Sequence, residues 1–179
     1  MSATVPESRT VKLRRITSAG LFSALIYVFT AYLHIPTGAG YTHAGDGLIY
    51  LAASILPMPY AIAAGAVGGA LADGLTGYPV WIPATVVIKA VTAMFFSNKS
   101  EKIITLRNIL AIIPSLILCV AGYAVYEGTV MAGGFSAAAI SAAFSQFPSY
   151  LAQIGASTAL YIAAGIVLDR ADFKKKFKM

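Results

Sequence analysis

The chain has 179 residues, the size of one domain, yet 58% of it is hydrophobic, only 11% is charged, and its mean hydropathy is +0.76. This excludes a soluble globular domain and predicts an integral membrane protein, in which apolar runs of roughly 20 residues cross the bilayer. The net charge of +6 does not point to a nucleic-acid polymer, because its distribution follows the positive-inside rule: Arg9, Lys12, Arg14 and Arg15 precede the first apolar run, Lys99, Lys102 and Arg107 share one internal loop, Arg170, Lys174, Lys175, Lys176 and Lys178 follow the last run, and Lys89 alone lies within an apolar segment.

In chain order, residues 1–15 read as a basic cytoplasmic N-terminus. The first helix is expected from about Ile16 to His34. It is long for the apolar core of a signal peptide and is not followed by a small-x-small cleavage site, so a retained span is expected. Ala19, Gly20, Ser23 and Ala24 give it two small-xxx-small pairs, which let another helix approach closely in lipid, whether within the chain or on a separate subunit. Ile35 to Gly47 is a loop rich in Gly, Pro and Thr. A second helix, from about Leu48 to Met58, is short for a span and either extends back to Gly45 or is buried between longer neighbours. Pro57 and Pro59 force a turn. A third helix follows to Leu75, with Gly65, Ala66, Gly68, Gly69 and Ala70 as another close-packing face. After the turn Gly77-Tyr78-Pro79, a fourth helix is expected from about Trp81 to Phe96, a fifth from Asn108 to Tyr126, and a sixth from Ala137 to Leu168, bent at Pro148. Residues 16–168 therefore form a six-helix bundle in a single membrane domain, and 169–179 form a basic tail. An even number of spans returns both termini to one side. The basic segments fall on that side, which makes it the cytoplasm.

The polar chemistry is concentrated between Tyr41 and Lys89. Lys89, inside the fourth helix, must meet a partner or a wet cavity. It can pair with Asp73 or Asp46, either as a structural ion pair or as an amine facing a ligand. Asp46 precedes a helix and is a natural N-cap as well as a site candidate. His43 is a hydrogen-bonding loop residue; with His34 it makes only a two-histidine pattern, and no metal site is assigned. Tyr41, Tyr78 and Trp81 suit either an interfacial belt or stacking on a planar ligand. Glu127 falls at the same end of the helices. Tyr150 and Gln153 share one helix face, and Gln153 needs a polar partner. Cys119 has no partner cysteine for an intrachain disulfide. No catalytic set or phosphate-binding glycine loop occurs, so the sequence describes no enzyme and no ATP-hydrolysing machinery.

The run Gly45-Asp46 … Ala72-Asp73 … Gly77-Tyr78 … Trp81-Ile82-Pro83-Ala84-Thr85 … Ile88-Lys89, with Pro148 … Gln153 and the small residues around Gly20 and Ala24, resembles the substrate-binding S component of an energy-coupling factor (ECF) transporter, of the riboflavin and hydroxymethylpyrimidine/vitamin B6 types. The resemblance implies an all-α, multi-pass bundle in the bacterial plasma membrane. Such a bundle captures a micronutrient outside and delivers it through a transmembrane T subunit and two cytoplasmic ATPases, with Ala19, Gly20, Ser23 and Ala24 as the docking patch. It implies no cofactor. The block Ala31 to Pro36 with Gly40 to His43 is similar to a subgroup linked to queuosine-type deazapurines; pyridoxine or hydroxymethylpyrimidine fits the same pocket chemistry, and the resemblance adds riboflavin as a candidate. The competing expectation is a stand-alone, proton-coupled secondary transporter with Lys89 and Asp73 as its relay.

Overall fold

The computed structural model describes residues 9–37 and 40–177; residues 1–8 of the basic N-terminus, residues 38 and 39 of the first loop, and Lys178 of the tail lie outside them. Helix α1 spans Arg9–Ala31 and begins a full seven residues before Ile16. A short antiparallel hairpin follows, β1 (His34–Thr37) and β2 (Gly40–His43), with His34 opposite His43 and Pro36 opposite Tyr41. Then come α2 (Asp46–Ile55) and α3 (Met58–Leu75), a 3₁₀ turn over Pro79–Trp81, and α4 (Ile82–Met94). The second half contains α5 (Leu106–Leu110) and α6 (Ile112–Tyr126), which runs into a π-helical turn over Glu127–Met131. It ends with α7 (Ala137–Phe144), α8 (Phe147–Arg170) and α9 (Phe173–Lys176).

Several boundaries differ from the sequence reading for identifiable reasons. The expected sixth helix is two. Pro148 stands in the first turn of α8, where its missing N–H costs nothing, so it starts a helix instead of bending one. The loop expected to begin at Glu127 is delayed to Ala132, because the π turn continues the helix. Gly133 and Gly134, with φ of 70° and 152°, then supply backbone that other residues rarely adopt. The first loop forms a hairpin although its sequence lacks clean alternation.

Small residues decide how closely the helices pack. Ala19, Ser23, Ile26 and Thr30 recur every three or four residues and form the buried stripe of α1 against α3. On α3, Gly68 faces α1: a β-carbon there would lie 2.8 Å from the Ser23 carbonyl and from the Ile26 side chain. Gly65 and Gly69 face the other way, onto Lys89 and Thr85 of α4. Glycines on two faces of α3 thus let it lie between α1 and α4 at backbone distance, the contact that van der Waals packing in lipid rewards. The outward faces are apolar, with Val87, Ile113 and Ile117 each at least 57% exposed, while Ser, Thr, Asn, Asp and Lys side chains are buried. That inversion suits a lipid exterior.

Among the described residues, two helical stretches are long and apolar enough to cross a membrane, Leu106–Met131 and Phe147–Arg170. Helix α2 cannot do so: its ten residues reach about 15 Å, half of the roughly 30 Å hydrocarbon core. All ten are buried, so α2 is a central element wrapped by α1, α3, α4 and α8.

The polar residues separate to the two ends of this assembly. At the end that holds the start of α5 and the end of α8, the Lys174 ammonium donates to the carbonyls of Ser54, Asn98 and Ser100 at 2.9, 2.8 and 2.5 Å. The Asp169 carboxylate accepts from the backbone of Ile103 and Ile104 at 2.7 and 3.0 Å. Buried Asn108 donates to Ser54 Oγ at 3.1 Å and to the carbonyls of Ser97 and Ile103. The charged loop is thereby pinned between α2, α5, α8 and the tail. At the other end lies a cleft.

Candidate functional site

The cleft forms where the end of α1, the hairpin, the end of α3, the start of α4, the end of α6 and the start of α8 converge. Counted with its open mouth, its space is about 570 Å³.

Its floor is ionic. Lys89, two turns into α4, places its Nζ 2.7 Å from Asp46 Oδ1, and both side chains are 3% exposed. Gln153 of α8 donates through Nε2 to Asp46 Oδ2 at 2.8 Å, and its amide also reaches Cys119 Sγ at 3.7 Å. Both carboxylate oxygens of Asp46 are therefore engaged. The N-cap reading of Asp46 does not hold. It is the first residue of α2, Gly45 occupies the cap position, and no side chain caps the helix. The carboxylate turns inward to Lys89 instead, while keeping the favourable position of an anion at a helix N-terminus. Of the two acids offered to Lys89, the structure selects Asp46 over Asp73. The amine reaches past Gly69, where a β-carbon would sit 3.3 Å from Lys89 Cγ and 2.8 Å from the Thr85 methyl.

The walls are aromatic. Trp81, 7% exposed, meets the Tyr123 ring edge-on at 5.5 Å and lies against Tyr126 at 5.9 Å. Tyr126 fixes the 3₁₀ turn that presents Trp81 by donating its hydroxyl to the Val80 carbonyl at 2.6 Å. Tyr123 and Tyr150 lie parallel, with centroids 6.1 Å apart. The Lys89 ammonium stands 5.7 Å from the Tyr123 centroid, and the hydroxyls of Tyr123 and Thr85 share a hydrogen bond of 3.0 Å.

The hairpin covers the cleft. Tyr41 donates its hydroxyl to Asp73 Oδ1 at 2.5 Å, and Thr42 donates to the Ser149 carbonyl at 2.9 Å, joining the hairpin to α3 and α8. Burial, reinforced by the Asp73 carboxylate, holds the Tyr41 phenol above its ordinary value. His43, 8% exposed, accepts from the Gly45 N–H through Nδ1 at 3.1 Å, and burial pushes its imidazole down to about 4. Its neutral form thus shapes the turn into α2. His34 donates through Nδ1 to the Ala31 carbonyl at 2.6 Å. The two histidines each serve a local turn.

Of the residues singled out from sequence, Tyr41, His43, Asp73, Trp81, Lys89, Tyr150 and Gln153 line the cleft. Three stand one layer back. Asp46 lies beneath Lys89, Tyr78 packs on Tyr41 with centroids 4.8 Å apart, and Glu127 accepts from Gln146, which itself lines the cleft. Thr85, Tyr123, Gln146 and Ser149 also line it and were not singled out. The spacing Trp81-Thr85-Lys89, four residues apart on one helical face, held the signal for Thr85. Ser115-Cys119-Tyr123 repeats that spacing on α6. Gln146 and Ser149 depend on where α8 begins, which spacing leaves open.

The small-residue patch of α1 divides. Ala19 and Ser23 are buried against α3, with Ser23 Oγ donating to the Ala64 carbonyl at 3.3 Å, so this pair packs within the chain. Gly20 and Ala24 face outward, and a β-carbon on Gly20 would meet nothing within 4 Å.

No curated relative matches the chain. The family model described as the ECF-type riboflavin transporter, S component, matches residues 10–169, nearly the whole chain and all of the cleft. A membrane assembly whose buried polar groups floor an aromatic cleft is what a transporter's binding subunit requires, and transporter S components are not a class of enzymes. The chain belongs to the S-component family of ECF-type transporters.

Proposed function

We propose that this chain is the substrate-binding subunit of an ECF-type importer in the bacterial plasma membrane, with six membrane passes and both termini in the cytoplasm. It captures a small planar heterocycle, neutral or cationic, from outside the cell. It then passes the ligand inward with two ATPases and a T subunit, and the T subunit meets it at the exposed Gly20 and Ala24 of α1. A queuosine-type deazapurine, a B6 or hydroxymethylpyrimidine compound, and the riboflavin of the family description are the candidate ligands.

The observation that carries this reading is the cleft itself. It opens at the end opposite the basic loop and tail, its walls are aromatic, and its one lysine is neutralised from below by Asp46 at 2.7 Å. Flat apolar walls favour a ring, and a paired lysine offers an anion little. The proton-relay alternative loses its pair, since Lys89 is closed on Asp46. Native mass spectrometry of the detergent-purified protein, followed by titration with the candidate ligands, tests the proposal. One bound heterocycle per chain and no ATP hydrolysis are expected. Intrinsic ATP hydrolysis, or proton-driven uptake by liposomes containing this chain alone, overturns it.

A further inference from the structure

Asp73 is the one acid among the described residues that line the cleft, and only part of it is used. Its side chain is buried, 4% exposed, at the last turn of α3. Oδ1 accepts the Tyr41 hydroxyl. Oδ2 is buried and has no hydrogen-bond partner among the described residues. The Thr85 hydroxyl stands near the carboxylate as a weak donor, but its hydrogen bond of good geometry is the one it shares with Tyr123, and none reaches Oδ2. Lys89, the only Lys or Arg among the described lining residues, is taken by Asp46, and His43, whose Nδ1 accepts from Gly45, keeps its N–H on Nε2 and makes no hydrogen bond to Oδ2. A buried carboxylate oxygen left without a donor is costly unless something supplies one. The cleft beside it is the place from which a donor can come.

We propose that Asp73 sets the charge class of the ligand: Oδ2 receives a hydrogen bond from a protonated amine, or a comparable cationic N–H group, carried by the bound heterocycle. This rests on the binding-subunit reading and sharpens it, from neutral or cationic to cationic. The geometry divides the labour. In the Asp46–Lys89–Gln153 floor the two charges are paired and little net charge remains, the aromatic walls hold the ring, and Asp73 presents a carboxylate with no ion-pair partner among the described residues. Tyr41 links this recognition to the hairpin, because the same carboxylate that would hold the ligand holds the cover in place.

The test uses two ligand series in which only the substituent charge changes: pyridoxamine, pyridoxine and pyridoxate, and the aminomethyl, cyano and carboxy forms of deazaguanine. Each is titrated calorimetrically against the intact protein in detergent. In whichever series binds, the amine is expected to bind about tenfold or more tighter than the neutral member, with the carboxylate weakest. Asp73→Asn keeps the shape and the Tyr41 contact, and should bring the amine to the level of the neutral member. Tyr41→Phe leaves the carboxylate with one donor fewer, and should raise the preference for the amine. If Asp73→Asn does not fold, Tyr41→Phe decides alone, and an unchanged or reduced preference overturns the inference. A parent that prefers the neutral or anionic member, or an Asp73→Asn variant with the same order of affinities, overturns the role of Asp73 and leaves the binding-subunit reading standing. If no member of either series binds a protein that melts cooperatively, the heterocycle reading and this inference fall together.

Discussion

At the scale of single residues, the floor of the cleft rests on two opposite charges that water does not reach. Lys89→Met leaves the Asp46 carboxylate buried without its counter-ion, and removing one partner of such a pair costs about 3–5 kcal/mol. A clear drop in melting temperature in detergent is expected. Adding Asp46→Asn should recover part of it, because an amide still accepts from Gln153 and no charge is stranded. If Lys89→Met melts like the parent, the pair does not hold the floor. Lys89 was legible because a lone charge in an apolar run must have a reason to be there. Which acid it meets was not, since Asp46 and Asp73 both lie near the same end and only the packing of α2 against α4 chooses between them. Tyr123 was hidden for the opposite cause. An aromatic residue in an apolar helix reads the same whether it faces lipid, core or cleft.

The hairpin is the element on which access to the cleft depends, and His43 ties it to pH. Burial lowers its imidazole from 6.5 to about 4, so the folded state holds the neutral form. Between those values the unfolded chain binds a proton that the folded chain refuses. The stabilisation is thus fully present above about pH 6.5, is lost as the pH falls toward about 4, and does not change further below it. The loss is on the order of 3 kcal/mol. Melting curves between about pH 7 and pH 4 should show a decline that His43→Gln, which does not titrate, makes shallower. An equal decline in both proteins would assign the effect to other groups. Nothing in Ile35 to Gly47 announced a hairpin, because its Gly, Pro and Thr fit many turns, and the pairing depends on contacts to Asp73 and Ser149 that are distant in sequence. Pro148 was legible as a break, but proline interrupts a helix and begins one with equal ease.

Over the whole molecule, the separation of a polar cleft from a basic, clamped opposite end was readable from the charges alone, since helices that alternate in direction bring their odd and even loops to opposite ends. The division of the α1 patch was not readable, because four small residues in six give no sign of which pair faces inward. The structure leaves Gly20 and Ala24 outward, and their role is an assembly property. A β-carbon on Gly20 meets nothing within 4 Å among the described residues, so Gly20→Leu should leave ligand affinity unchanged, while uptake by cells carrying the full transporter should fall at least tenfold if the T subunit sits there. Normal uptake would put the docking face elsewhere.

Helix α2 joins these two ends, and it has no free face. Asp46 at its first turn belongs to the cleft floor, and Ser54 at its last turn accepts from Lys174 through its carbonyl and from Asn108 through its hydroxyl oxygen. Eight residues of helix separate them, about 12 Å. A rod gripped along its whole length has no room to bow, so an axial push on Asp46 from an occupant above it must travel to Ser54 and into the clamp. A displacement of the cleft floor is therefore expected to register at the opposite, clamped end of α2.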